Sequence, residues 1–202
     1  YVPSPAEVPA AEDVIRTGFI YQPGEVETVG ESVIHVDEAN FDNAREPLAQ
    51  EFRPVGGTEA DDFVVVNHFK SKGGSGSGDN ADTGQGSWNG DRTRQAESMQ
   101  GFAESFAGEA DTDRTFLVGD FNSYTHEDPM LGLYEDGYVN LAPEGQHSYS
   151  FDGQAGSLDH VLASGPLFSH VTGASVWGIN SVESVSLEYS RYNANVKDLY
   201  AP

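Results

Sequence analysis

Thr115-Phe116-Leu117-Val118-Gly119-Asp120-Phe121-Asn122 is the stretch whose reading decides the fold. An unbroken run of β-branched, aliphatic and aromatic residues reads as a strand buried on both faces. Here it runs into a carboxylate and a carboxamide. A charged or polar side chain at the end of such a strand costs several kcal/mol unless it is paired or reaches a cleft. The same arrangement occurs twice more. Phe63-Val64-Val65-Val66 leads into Asn67-His68-Phe69-Lys70-Ser71-Lys72, and Ser157-Leu158-Asp159-His160 runs into Val161-Leu162. Three polar strand ends imply convergence on one site, which makes the chain a candidate hydrolase with acid/base and metal chemistry.

At 202 residues the chain fits a single domain with a substantial core. No run approaches the ~18 apolar residues of a membrane-spanning helix, so a soluble chain without a membrane partner is expected. There is no cysteine, which excludes disulfides and thiolate metal sites. Asp and Glu total 33 against 10 Lys and Arg, a formal net charge of −23. So negative a surface repels polyanions and keeps the chain dissolved, and it suits an acidic, secreted or salt-adapted protein or one that binds divalent cations. The lysines are Lys70, Lys72 and Lys197, and two of them flank His68.

Working outward from the three clusters, Val14–Tyr21 reads as a strand stopped by Pro23-Gly24, and Val26–Val36 as an extended segment or hairpin arm. Arg45–Phe52 reads as a strand, with Pro47 tolerated at a sheet edge. Asp62–Phe69 and Arg114–Phe121 are the buried strands. Between them lies the polar loop Gly73–Gly90, whose length marks it as functional or unstructured. Its Asp79 and Asp82 can hold a surface Ca2+, or be no more than a solvated loop. Asp91 is expected to cap a helix whose stripe of Gln95, Met99, Phe102 and Phe106 is core and which ends at Gly108. Thr125-His126-Glu127-Asp128 has capping-box form ahead of a short helix with Pro129 in its first turn. Ser148–Phe151, Ser157–Ala163 and Val171–Trp177 complete the expected strands. No repeat or domain boundary is visible.

On an extended backbone Asp120 and Asn122 share one side, with Phe121 opposite. The carboxylate can orient or deprotonate a water, and the amide can donate to a non-bridging phosphate oxygen. Asp120 can equally bind Mg2+ directly, or the pair can be a plain Asx-turn. His68 can act as a general acid or donate to a phosphate, helped by anion attraction at Lys70 and Lys72, or be a structural histidine. Asp159 can orient an imidazole elsewhere, or be a buried hydrogen-bonded residue.

Taken in order, Asn-His-Phe-Lys-Ser-Lys at 67–72, Gly-Asp-Phe-Asn at 119–122 and Ser-Leu-Asp-His-Val at 157–161 resemble the endonuclease/exonuclease/phosphatase family, the pancreatic-type deoxyribonuclease fold. With the Gly/Asp-rich loop and Trp88-Asn89, the chain is similar to the bacterial secreted nucleases of that family. The resemblance implies a four-layer α/β sandwich, two mixed β-sheets packed face to face with helices outside. It implies a single domain over 1–202, present incompletely. By the same resemblance Asp120 positions the nucleophilic water and binds Mg2+ or Mn2+. Asn122 holds the scissile phosphate, and His68 contacts it or assists the leaving group. Asp159 orients a second histidine, while Asn67, Lys70, Lys72, Arg92 and Arg94 contact substrate.

The family's first strands carry an Asn and a metal-binding Glu, and its last strand carries Ser-Asp-His. Glu7 and Glu12 lie in a loop-like stretch, and Asp198-Leu199-Tyr200-Ala201-Pro202 stops where the final motif is expected. The expectation is therefore a domain trimmed at both ends, which needs its missing parts or a partner chain to complete the sheets. The expected activity is hydrolysis of DNA or RNA by a secreted nuclease. The alternatives are a phosphatase or phosphodiesterase for a small or lipid phosphoester, a non-catalytic interaction module, and a calcium-binding structural domain.

Overall fold

The computed structural model describes residues 1–6, 16–57 and 62–178, with backbone alone for 62–66. Strand β1 (Val26–Ile34) leads to a one-turn helix α1 (Glu38–Phe41), β2 (Arg45–Pro54) and β3 (Asp62–His68). The chain then runs through a 3-10 turn at Gly78–Asn80 into α2 (Asn89–Glu109), β4 (Thr115–Asp120) and α3 (Asp128–Glu135). Short strands β5 (Val139–Asn140), β6 (Tyr149–Phe151) and β7 (Gln154–Gly156) precede β8 (Asp159–Ala163) and α4 (Gly165–Phe168).

The described strands form a six-stranded mixed sheet in the order β1-β2-β3-β4-β8-β5, with β6 and β7 as a separate hairpin. Only β3 and β4 run parallel, since the long connection through α2 returns the chain in the same direction. The other pairs are antiparallel. Alternation along the strands decides what each face meets. Ala49, Phe69, Leu117, Phe121 and Leu162 pack with Met99, Ala103 and Ala107 of α2 and Met130 and Leu133 of α3. On the opposite face Leu48 and Phe52 pack with Val2 and Phe19. Further along that face Val161 is exposed. The architecture is an incomplete α/β sandwich, one helix-backed sheet whose second face the described residues cover in part.

Several sequence expectations shift. Pro47 lies within β2, an interior strand, not at a sheet edge; it is tolerated because the β2–β3 register slips between Arg45 and Leu48. Residues 16–21 join no ladder among the described strands, although the Val2 N–H donates to the Phe19 carbonyl at 3.1 Å. Val14 and Ile15, the start of that expected strand, lie outside the described residues, as do Glu7, Glu12, Lys197 and 198–202. Residues 171–178 form no strand: the Val176 N–H goes to the Gln146 side chain, and Trp177 is exposed.

The helix α2 begins two residues before Asp91, with Trp88 at the N-cap position in the left-handed region. Its capping comes from outside the helix: the Asn80 side-chain oxygen accepts the Asp91 N–H at 2.8 Å. Thr125 does not cap α3 either. Glu127 takes the N-cap position, and its carboxylate accepts the Tyr124 N–H at 3.0 Å.

The largest fully buried side chain on α2 is charged. Arg92 donates from Nη1 to the Ser87 carbonyl at 2.7 Å and from Nη2 to the Gln85 carbonyl at 3.1 Å. It staples the Gly/Asp-rich loop to the helix. Replacing it strands those carbonyls and opens a cavity. Arg92→Ala is expected to lower the unfolding free energy by about 3 kcal/mol in a denaturant titration, whereas a residue that only met substrate would leave stability unchanged.

Candidate active site

The β3–β4 and β4–β8 registers place His68 beside Asp120, and Asp120 beside Asp159. Residues directly opposite on neighbouring strands project from the same face. An imidazole and two carboxylates therefore share one rung at the end of three adjacent strands, on the face away from α2 and α3. The next rung back runs Asn67, Gly119, His160 and points the other way.

Gly119 makes this register possible. A Cβ there would fall on top of the Asn67 carbonyl oxygen, and its φ is +152°. The backbones of β3 and β4 approach so closely only because that atom is missing.

Asp120 is half-buried, and the Asn122 N–H donates to its Oδ1 at 2.8 Å. This is the Asx-turn the residue types favour, with Asn122 at φ +47°, where asparagine is tolerated. The Asn122 side chain is nearly buried and donates to the Phe69 carbonyl at 2.9 Å. One amide proton is thereby spent on fixing the turn. Burial first, then the neighbouring charge of Asp159, pushes the Asp120 carboxyl above the ordinary aspartate range, against the Asn122 hydrogen bond and the nearby His68 and His160. Asp159 is exposed beside it, its N–H donating to the Ser148 hydroxyl at 3.1 Å.

His160 is not the histidine that Asp159 was expected to orient. Its ring is buried on the helix side, with Nε2 donating to the Ser123 carbonyl at 2.8 Å and Nδ1 3.1 Å from the Asn140 amide. Burial lowers its pKa. It is a neutral structural residue.

The expected substrate contacts divide sharply. Arg92 is corrected to a core residue: it is 0% exposed and holds loop carbonyls. Asn67 is likewise turned away from substrate; it is 2% exposed on the helix-facing rung. Lys72 is committed to the Glu127 carboxylate and to the Gln85 carbonyl at 2.6 Å, its ammonium 5.2 Å from the centre of the Tyr124 ring. Desolvation lowers its pKa. Arg94 pairs with Asp79 at 2.5 Å and Asp91 at 2.6 Å. Lys72 and Arg92 are thereby spent on building the loop, while Arg94 makes its ion pairs from a part-exposed position. Lys70 differs: its ammonium lies 5.1 Å from the centre of the Trp88 ring, and no ion pair to it occurs among the described residues.

Sequence reading missed Arg45. Strand β2 sets it beside His68, which extends the rung to a fourth strand. The available signal was an arginine opening a strand in a chain with few cations.

The described residues contain no group of three or more acidic or imidazole side chains placed to hold a metal. Asp79 is engaged by Arg94, while Asp82 Oδ1 accepts the N–H groups of Gly84 at 2.9 Å and Gly86 at 3.1 Å, so neither converges on the expected Ca2+. Asp120 and Asp159 are a two-carboxylate oxygen set. That fits Mg2+ or Mn2+, since Mg2+ keeps several waters and takes one or two carboxylates plus substrate oxygens.

No protein-family model and no curated protein sequence matches this chain. Among solved structures it resembles a mannosyl-6-phosphatase from Bacteroides thetaiotaomicron, with TM-score 0.51 and 12% identity over 72% of this chain and 55% of that one. The catalytic domain of human Nocturnin with bound sulfate gives 0.49 and 17%, over 70% and 49%. An endonuclease/exonuclease/phosphatase family protein from Bacteroides thetaiotaomicron gives 0.49 and 12%, over 72% and 54%. The chain spans about half the length of these structures. At 12% identity the likeness to the mannosyl-6-phosphatase shows a shared fold alone.

The raised Asp120 pKa has a consequence for stability. Between the ordinary aspartate value and the raised one the native state holds the proton more tightly than the unfolded chain, so stability falls as pH rises through that window. Above it, ionised Asp120 is a net cost. Asp120→Asn keeps the turn and removes the charge. It is therefore expected to raise the melting temperature of the metal-free protein at pH 7 and to leave it nearly unchanged below the aspartate range, as read by differential scanning calorimetry.

Proposed function

We propose that this chain carries the hydrolytic centre of a secreted, Mg2+- or Mn2+-dependent phosphodiesterase of the endonuclease/exonuclease/phosphatase type, acting on nucleic acid. The observation that carries the reading is the shared rung of His68, Asp120 and Asp159 with Asn122 at its end. Asp120 Oδ1 is occupied by the Asn122 N–H, and the other oxygen is left to orient or deprotonate a water for in-line attack. Its raised pKa makes it a better base than an ordinary aspartate. His68, one strand over, donates to the phosphate or protonates the departing oxygen. The second Asn122 amide proton holds a non-bridging oxygen, and Arg45 adds positive charge on the far side of His68. Asp120 and Asp159 would hold the cation, which when bound neutralises charge developing on the phosphate.

The second reading is a small phosphoester substrate. It is favoured by the net charge of −23 and by the engagement of Lys72, Arg92 and Arg94 inside the protein.

Hydrolysis of a small phosphodiester and of plasmid DNA and RNA, measured in Mg2+ and in Mn2+, separates the two readings. Cleavage of polynucleotide is expected, with kcat reduced roughly 10^3-fold or more by Asp120→Asn and about 10^2-fold by His68→Ala. Turnover of the small ester alone would replace the nuclease reading with the second. No metal-stimulated turnover of either, or turnover indifferent to Asp120, would remove both.

A further inference from the structure

On hairpin β6–β7, Tyr149 and Phe151 lie two residues apart on one strand and so on one side of it. Their rings are nearly parallel, 13° between planes and 6.2 Å between centres. Both face solvent, Tyr149 at 39% and Phe151 at 68% exposure. Two exposed aromatics held ring beside ring on so short a hairpin do nothing for the core.

Their position connects them to the rung. Ser148, next to Tyr149, accepts hydrogen bonds on its hydroxyl from the N–H groups of Leu158 and Asp159, both at 3.1 Å. Tyr149 pairs with Gly156, and Gly156 lies so close against the Tyr124 ring that a Cβ would stand 2.7 Å from it. Lys72 sits over that same ring. The hairpin is thus anchored to Asp159 on one side and to the loop wall on the other.

Charge then limits how a nucleic acid can be held at this site. A protein that grips nucleic acid through its backbone neutralises several phosphates with Lys and Arg. Here Lys72, Arg92 and Arg94 are engaged within the protein, and Lys70 lies over the Trp88 ring with no ion pair among the described residues. Affinity for a polyanion has to come from its uncharged parts. Those are the base faces, which are accessible in a single strand and shielded in a duplex. An anionic membrane would meet the same repulsion without offering a face to stack.

We propose that Tyr149 and Phe151 form a stacking subsite for a base next to the scissile phosphate, so that the chain binds single-stranded nucleic acid in preference to duplex. The subsite rests on the nucleic-acid reading above. It supplies affinity by base–aromatic contact, and it makes binding only weakly dependent on salt.

The test uses the Asp120→Asn chain, so that bound strands are not cut, and fluorescence anisotropy with a short labelled single strand and the matching duplex. Expected are tighter binding of the single strand, a loss of about tenfold or more in Tyr149→Ala/Phe151→Ala, and recovery in Tyr149→Phe/Phe151→Trp. The slope of log affinity against log salt should be no steeper than about −1.4, two phosphate contacts on a single strand. Unchanged affinity in the double-alanine chain, a duplex preference, or a steep salt slope would overturn the subsite. So would binding of the chain to phosphatidylcholine vesicles, but not to oligonucleotide, that is lost in the same variant. Turnover of a small phosphodiester by the unmodified chain reports separately on the hydrolytic centre, so failure of the subsite and failure of that reading are distinguishable.

Discussion

The parallel pairing of β3 with β4, closed on Gly119, is the constraint on which the site depends. His68 and Asp120 come from segments separated by the whole Gly/Asp-rich loop and α2, and they meet only because the two strands run in register to their ends. Gly119 lets the backbones approach at the last rung before the acid, where any side chain would strike the Asn67 carbonyl. The antiparallel strand β8 then adds Asp159 on the same side. Two carboxylates side by side, one of them half-buried, are an unfavourable arrangement for a bare protein. Carboxylates with pKa values perturbed by burial and a like charge cluster at functional sites.

The scarce positive charge is spent largely on construction. Arg92 is buried among loop carbonyls, Lys72 is clamped between Glu127 and Gln85, and Arg94 bridges Asp79 and Asp91. Together with the Asn80 cap on α2 these contacts give the glycine-rich loop a defined path without a hydrophobic core of its own. The result is a wall beside the rung that offers few cations to a polyanion. Exposed aromatics on the neighbouring hairpin answer the same need by a different physical route.

Much of this was legible in the sequence. The apolar runs ending in Asn67-His68 and Gly119-Asp120 become β3 and β4, and alternation alone puts Phe121 in the core and Asp120 on the other face. The resemblance to the endonuclease/exonuclease/phosphatase family carried the fold correctly. What failed has a common cause: a side chain's type does not say which partner claims it. Arginines at the start of a helix suit phosphate binding equally well before it is known that loop carbonyls have captured Arg92. Asn67, adjacent to His68, alternates to the buried side. Arg45 was invisible because its neighbour lies on another strand, and register across β2 and β3 is a tertiary fact. The exposure of Tyr149 and Phe151 was hidden for the opposite reason, since an aromatic pair in a strand reads as core until its sheet proves to have two strands.

The central claim is that the rung of His68, Asp120 and Asp159 is the place where a divalent cation and a phosphate meet on this chain. Paramagnetic Mn2+ titrated into 15N-labelled protein tests it directly, because broadening falls off steeply with distance from the ion. Selective loss of the amide signals of His68, Gly119 to Asn122 and Leu158 to His160 is the predicted result, with inorganic phosphate deepening the same set. Broadening spread evenly over the acidic surface, or centred on Asp79 and Asp82, would contradict it.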